Sequence, residues 1–294
     1  MEGWRPGVAK RLKADYKTLS RENKKLVYCS ISGFGQDGPW EKRSGHDVNY
    51  LALSGYMDLQ KLVEGRPWPP PVLFSDLTSG LYAAISILAA IIGSTGTGKG
   101  SYIDLSMTEA ALSLLTLEFG NLDKSSPGIK HPNVTFIPHY GLFECSDKRW
   151  ISLGIVHEDH FWERFCEVAN LFEMKYMKFP ERLKEANKIE EKLSKTFIKR
   201  SANEWEQELI EADVPAASVI SLEEILDSPQ FKARGIFTSL DGNMFLGQPA
   251  KFSTYSVSPK NPPPKLGQNT KNILNKLGYD ENQFNELNQK EIFS

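Results

Sequence analysis

Residues 26–39 read Leu26-Val-Tyr-Cys-Ser-Ile-Ser-Gly-Phe-Gly-Gln-Asp-Gly-Pro39. The first seven are rich in β-formers and the next seven are punctuated by glycine. The stretch therefore predicts a strand that runs into a glycine loop. Downstream, Leu77–Ile92 is almost wholly apolar, which predicts a helix buried on every side. Asp76 stands ahead of it in N-cap position and Gly93 behind it. A short strand over Ser101–Ser106 and a helix from about Thr108 to Phe119 follow. Strand, helix, strand, helix is the pattern of α/β packing.

At 294 residues the chain is long enough for two domains. Residues 121–138 are rich in Pro, Gly, Ser and Asn without periodicity and are expected to link them. The linker separates a first domain, 1–120, from a second, 139–235. In the second, Tyr140–Cys145 and Trp150–Val156 are expected to pair antiparallel around the polar turn Ser146–Arg149. Helices are expected over His160–Phe172 and Pro180–Ala212, where Ile189, Leu193 and Phe197 recur at i, i+4, i+8. Residues 236–294 are Pro-rich and hold too little apolar matter to stand alone, so they are expected to return to the first domain.

Lys plus Arg (35) nearly cancels Asp plus Glu (37), so nothing draws the chain as a whole to nucleic acid, and an anionic ligand needs a local site. Cys29, Cys145 and Cys166 are too few and too scattered for a disulfide framework, which favours a reducing compartment. The N-terminal residues lack the design of a signal peptide. The longest apolar run, Leu81–Ile92, falls short of the roughly 20 residues of a bilayer span. A soluble, cytoplasmic chain with no membrane or nucleic-acid partner is expected.

Two motifs mislead. Gly93-Ser-Thr-Gly-Thr-Gly-Lys99-Gly100 approaches a phosphate-binding loop, but Gly100 replaces the Mg²⁺-binding hydroxyl. The loop also leaves a helix for a strand, the reverse of the order that points amides at phosphates. His157-Glu158-Asp159-His160 lacks the four-residue histidine spacing of a zinc helix, so no metal is expected. No GxSxG elbow is present. The remaining chemistry-bearing positions are His46 and Asp47 after a glycine-rich loop, Asp76 before the apolar helix, and Glu158 after a strand. On these features alone each has a plain structural reading as a loop pair, an N-cap or a helix start.

Three long stretches carry a resemblance. Glu2-Gly-Trp-Arg-Pro-Gly-Val8, with Arg11-Leu12 and Leu26–Pro39, resembles the opening of the coenzyme A site in class III CoA-transferases of the CaiB/BaiF type. Gly45-His46-Asp47-Val48-Asn49-Tyr50 looks like the α-methylacyl-CoA racemase branch. Pro69–Asp76, the apolar helix and Thr97–Gly100 resemble the segment that carries the family's catalytic aspartate. Shorter matches follow in the same order to Pro264–Thr270.

The resemblance implies an α/β fold with a Rossmann-like large domain, here 1–120 and without its N-terminal part, plus a smaller α/β domain, in interlocked dimers. It implies no permanently bound cofactor, coenzyme A entering as part of the substrate. A homodimer is expected, a separate N-terminal chain being a second candidate partner. Carried over by position, His46 and Asp76 are the acid/base pair and Glu158 supports the histidine. Gly45, Asp47, Val48, Asn49 and Tyr50, with Arg5 and Arg11, lie near the thioester arm and phosphates.

Inverting a carbon next to a thioester needs one base on each face of the enolate, and an imidazole and a carboxylic acid of raised pKa suit pH 7. The first-turn amides of Leu77, Thr78 and Ser79 are expected to hold the enolate oxygen, with Ser75 free to cap the helix. Two readings stand beside the racemase: a CoA-transferase with Asp76 as acyl-accepting nucleophile, and a non-catalytic or split-gene subunit.

Overall fold

The 26–39 stretch builds as its composition dictates. β1 (Val27–Ser32) ends at Gly33, and it pairs in parallel with β2 (Ser101–Ser106), Val27 opposite Ser101 and Ser32 opposite Ser106. Two short helices, α1 (Val8–Arg11) and α2 (Tyr16–Glu22), precede β1. Between the strands lie α3 (Asp47–Leu53), α4 (Tyr56–Glu64) and α5 (Phe74–Thr97), and α6 (Met107–Ser113) and α7 (Thr116–Gly120) follow β2. Parallel strands joined through helices make this an α/β fold. The structure, a computed structural model, describes residues 1–120, 137–290 and 292–293, with 61–64 and 120 by their backbone alone. It divides into two units, Met1–Ile137 and Pro138–Ser294. The expected linker, 121–138, lies outside the described residues except for its last two.

α5 departs from expectation in three ways. It begins at Phe74, before Asp76, and runs through Gly93 to end at Gly98, whose φ of 70° supplies the left-handed turn that stops a helix. Its buried face is made of small residues, Ser75, Ser79, Ala83 and Ser94, and packs on β1, β2 and α6. Its large aliphatic side chains face outward, Leu81, Ile85 and Ile92 being 67%, 63% and 74% exposed. An apolar composition all round does not mean burial all round: among the described residues the fully buried face of α5 is the small-residue stripe. The third departure is length, because this 24-residue helix, with a mean hydropathy of 1.7 over its best window, is long and apolar enough to cross a bilayer. Its serine face nonetheless packs against a strand pair, as a helix of an α/β layer does.

Where the false phosphate loop ends, Gly100 has a packing reason to be glycine. A Cβ there would meet the Leu26 carbonyl oxygen at 1.9 Å, and the Gly100 N–H donates to Lys24 O at 2.7 Å.

In the second unit β3 (Tyr140–Glu144), β4 (Trp150–Gly154) and β5 (Ala216–Ser218) form an antiparallel sheet in that order. α8 (Asp159–Val168) follows β4. The long helix expected over 180–212 is three: α9 (Phe179–Lys184), α10 (Ala186–Phe197) and α11 (Ala202–Glu211). A capping box forces the last break, since Ser201 Oγ accepts the Glu204 N–H and Glu204 Oε2 accepts the Ser201 N–H. The predicted stripe of Ile189, Leu193 and Phe197 is fully buried, with Trp162, Phe165, Trp205 and Leu209, in the core of this unit.

α12 (Leu222–Asp227) and α13 (Pro229–Arg234) lead to a hairpin, β6 (Phe237–Leu240) and β7 (Asn243–Leu246). Asp241 and Gly242, both at positive φ, make its two-residue turn. α14 (Thr270–Lys276) and α15 (Glu281–Gln289) close the chain. Residues 236–294, expected to return to the first domain, fall within the second unit.

Candidate active site

The glycine loop after β1 is held from beneath. The Gly33 carbonyl accepts both the Thr108 N–H (3.1 Å) and the Thr108 hydroxyl (2.7 Å) at the start of α6. Asp104 Oδ2 on β2 accepts the Gln36 N–H at 3.0 Å. Above this loop sits Tyr50, buried in α3, whose hydroxyl donates to Gly45 O at 2.6 Å. A Cβ at Gly33 or Gly45 would come within 2.5 or 2.7 Å of the Tyr50 ring. Both glycines are therefore there to seat that ring. Tyr50 thus holds the loop in place and also lines the cavity beside it.

His46 occupies the N-cap position of α3 in extended backbone, and Asn49 Oδ1 accepts its N–H at 3.0 Å. Its imidazole is exposed. It lines a cavity of about 470 Å³ with Arg5, Arg43, Asn49, Tyr50 and Met107. Gly45 lines the same cavity, whereas Arg11, Asp47, Val48 and Asp76 are not among its walls. Val48 is exposed on α3, and Arg11 lies in the last turn of α1. Arg43, which the sequence did not single out, lies over the Phe34 and Trp40 rings at 5.8 and 5.7 Å.

Asp47, expected beside the thioester arm, turns its carboxylate inward instead. It is only 7% exposed, and its Oδ1 accepts the N–H groups of Ser75 (2.7 Å) and Asp76 (3.2 Å). The cap of α5 thus comes from α3. Neither Asp76 nor Ser75 caps the helix, and the Ser75 hydroxyl donates to Met107 O at 2.9 Å.

The expectation for the enolate oxygen fails for the same reason. The Leu77 N–H already donates to Leu73 O at 3.0 Å, Thr78 and Ser79 lie past the first turn, and Asp47 occupies the amides ahead of them. α5 has no amide to spare for an oxyanion.

Asp76 stands at the third position of α5 with its side chain exposed. Surrounding protein raises its pKa above the ordinary carboxylate value, the Asp47 charge raises it further, and His46 partly opposes them. The burial that raises the Tyr50 phenol is joined by the charge of Asp76. His46, Asp47, Tyr50 and Asp76 therefore form one electrostatic group.

Glu158, on the second unit, precedes α8, and its Oε2 accepts the Val156 N–H at 2.9 Å. These local amides hold its pKa below the usual value, so it stays ionised.

His46 and Asp76, whose carboxyl has a raised pKa, thus act on each other electrostatically, and an arginine-lined cavity adjoins His46. Residues 1–270 match CoA-transferase family III, and the chain belongs to that family. It is 28% identical to the alpha-methylacyl-CoA racemase of Homo sapiens, over 99% of this chain and 78% of that protein. It is 29% identical to the acetyl-CoA:oxalate CoA-transferase of Acetobacter aceti, over 91% of this chain and 70% of that one. A CaiB/BaiF family protein from Brucella suis shares the fold at a TM-score of 0.80 and 27% identity, covering 94% of this chain and 74% of its own. Racemase and transferases thus stand at similar identity.

Proposed function

We propose that the chain racemises 2-methylacyl-CoA thioesters, removing the proton next to the thioester and returning it through an enolate. His46 and Asp76 act as the two bases, one on each face of the planar carbon. Glu158 supports the histidine, and Arg5 and Arg11 attract the anionic carrier arm. The coenzyme enters as part of the substrate, and two copies of the chain make the working enzyme in the cytoplasm.

The observation that carries this reading is the Asp47 bridge. The residue next to His46 holds the Asp76 amide at 3.2 Å, so imidazole and carboxyl start from adjoining backbone. The raised pKa of Asp76 also suits a group that must deliver a proton as well as take one.

Incubation with a 2-methylacyl-CoA in D₂O tests it. The native chain incorporates deuterium at the α-carbon and loses stereochemical purity. His46→Ala and Asp76→Asn each slow both by about 10²–10⁴-fold, the usual worth of a positioned acid/base. Deuterium uptake that persists in both variants would refute the two-base assignment.

A second reading has one observation in its favour, the transferase relatives at 29% identity. In it the Asp76 carboxylate attacks the thioester carbon, an acyl anhydride forms and the coenzyme thiolate leaves. His46 then takes no part.

A further inference from the structure

Asp47 lies 29 residues before Asp76 in the chain, yet its carboxylate is the cap of the helix that carries Asp76. A helix whose first amides lack acceptors frays there, and Asp76 is the third residue of α5. α5 has no cap of its own: Leu73 stands at the N-cap position, and no side chain bonds from it. The Ser75 hydroxyl, the local group best placed to serve, is engaged with Met107 O on α6. The burial of Asp47 removes competing water from these contacts.

The other end of the bridge is equally constrained. Asp47 is the first residue of α3, His46 immediately precedes it, and the Asn49 side chain holds the His46 amide. One short carboxylate therefore ties the start of α3 to the start of α5.

We infer that Asp47 is a positioning residue, the clamp that fixes the Asp76 carboxyl against the His46 imidazole and holds it beside a second negative charge. The inference rests on the proposed proton-transfer reading for its kinetic consequence, but the clamp itself is measurable without turnover. The charge has a definite direction of effect. Among the described residues the groups that act on Asp76 are Asp47, which raises its pKa, and His46, which lowers it; Tyr50 faces it as a phenol, with Arg5 beyond. Removing the Asp47 charge while keeping an oxygen acceptor lowers the pKa of Asp76.

The test uses Asp47→Asn and Asp47→Ala in the full chain. In Asp47→Asn the amide oxygen still accepts both N–H groups. The ¹³C-carboxyl titration of Asp76 moves to lower pH, and the acid limb of the kcat profile moves with it. In Asp47→Ala kcat falls about 10²-fold, the scale of a misplaced catalytic group, while KM stays within twofold. A loss that appears in KM instead, or an Asp47→Ala enzyme with kcat within twofold of native, overturns the clamp. If Asp47→Ala does not fold, the Asp47→Asn titration decides, and an unmoved Asp76 carboxyl overturns the inference. A chain that neither exchanges α-protons nor racemises, yet shows the shifted Asp76 titration, sinks the racemase reading and leaves the clamp standing.

Discussion

Arg182 donates its Nε–H to Nε2 of His139 across 2.9 Å, and neither side chain reaches solvent. A carbonyl can only accept, so the 2.9 Å contact of His139 Nδ1 with Ile155 O places the imidazole proton on Nδ1. Arg182 goes on to Asp159 Oδ1 (2.8 Å), Met177 O (2.9 Å) and Val156 O (3.4 Å), with the Trp162 and Phe179 rings beside it. The pair closes the turn that carries Glu158.

Stability of the second unit follows from that pair. Burial, with the Arg182 charge beside it, pushes the His139 pKa from 6.5 down to about 4. The folded state thus refuses a proton that the unfolded chain accepts between those values. Its contribution is full above pH 6.5 and fades as pH falls toward 4, by about 3 kcal/mol at most for a shift of this size. Urea unfolding at pH 7, 5.5 and 4.5 reads this slope, and His139→Gln flattens it. Arg182→Met leaves the buried His139 Nε2 without its donor, while Asp159 keeps Lys178 at 3.3 Å, and is expected to cost about 1–3 kcal/mol.

Gly33→Ala places a methyl 2.5 Å from the Tyr50 ring and is expected to destabilise the first unit by about 1–3 kcal/mol. The ring can be shortened, so Gly33→Ala with Tyr50→Leu recovers part of that loss. Gly100→Ala has no such remedy, because its clash is with backbone at Leu26. Denaturant midpoints of the three variants order the effects, and a Gly100→Ala chain as stable as native would contradict the geometry.

Leu81, Ile85 and Leu88 are 67%, 63% and 60% exposed among the described residues. Replacing all three by Gln is expected to leave stability unchanged within about 0.5 kcal/mol per site, as surface substitutions do. Binding of an environment-sensitive dye by the isolated chain falls at the same time. A cooperative loss of folding in the triple variant would mean that the outward face of α5 is a packed one.

Chemistry separates the two readings of the site. Supplied with an acyl-CoA and a free carboxylic acid, a transferase loses coenzyme exchange in Asp76→Asn and keeps it in His46→Ala. A racemase exchanges α-protons without the acid, and both variants fall together. The comparison needs only isotope and coenzyme readouts on the same three preparations.

What could be read from the residues in order was whatever depends on neighbours in order. β1, β2, the β3–β4 pair and the buried stripe of α10 follow from periodicities of two and of 3.6, and their partners are the obvious ones. His46 and Asp76 were legible through long matching stretches around them, and Gly45 through its place beside His46. The break before α11 was less legible, although Ser201 and Glu204 spell a capping box. Arg43 gave no signal, since a lone arginine in a loop resembles any other until the Phe34 and Trp40 rings lie beneath it.

Local order in the chain determined which segments become strands and helices, and where an imidazole and a carboxyl are available. Tertiary structure alone decided which face of α5 is covered, where that helix begins, and that Asp47 caps it from another helix. The reason is physical: propensity and periodicity act over a few residues, whereas a hydrogen bond that spans 29 positions exists only after the chain has folded back on itself. The same folding takes up the amides of α5 and leaves its aliphatic side chains facing outward.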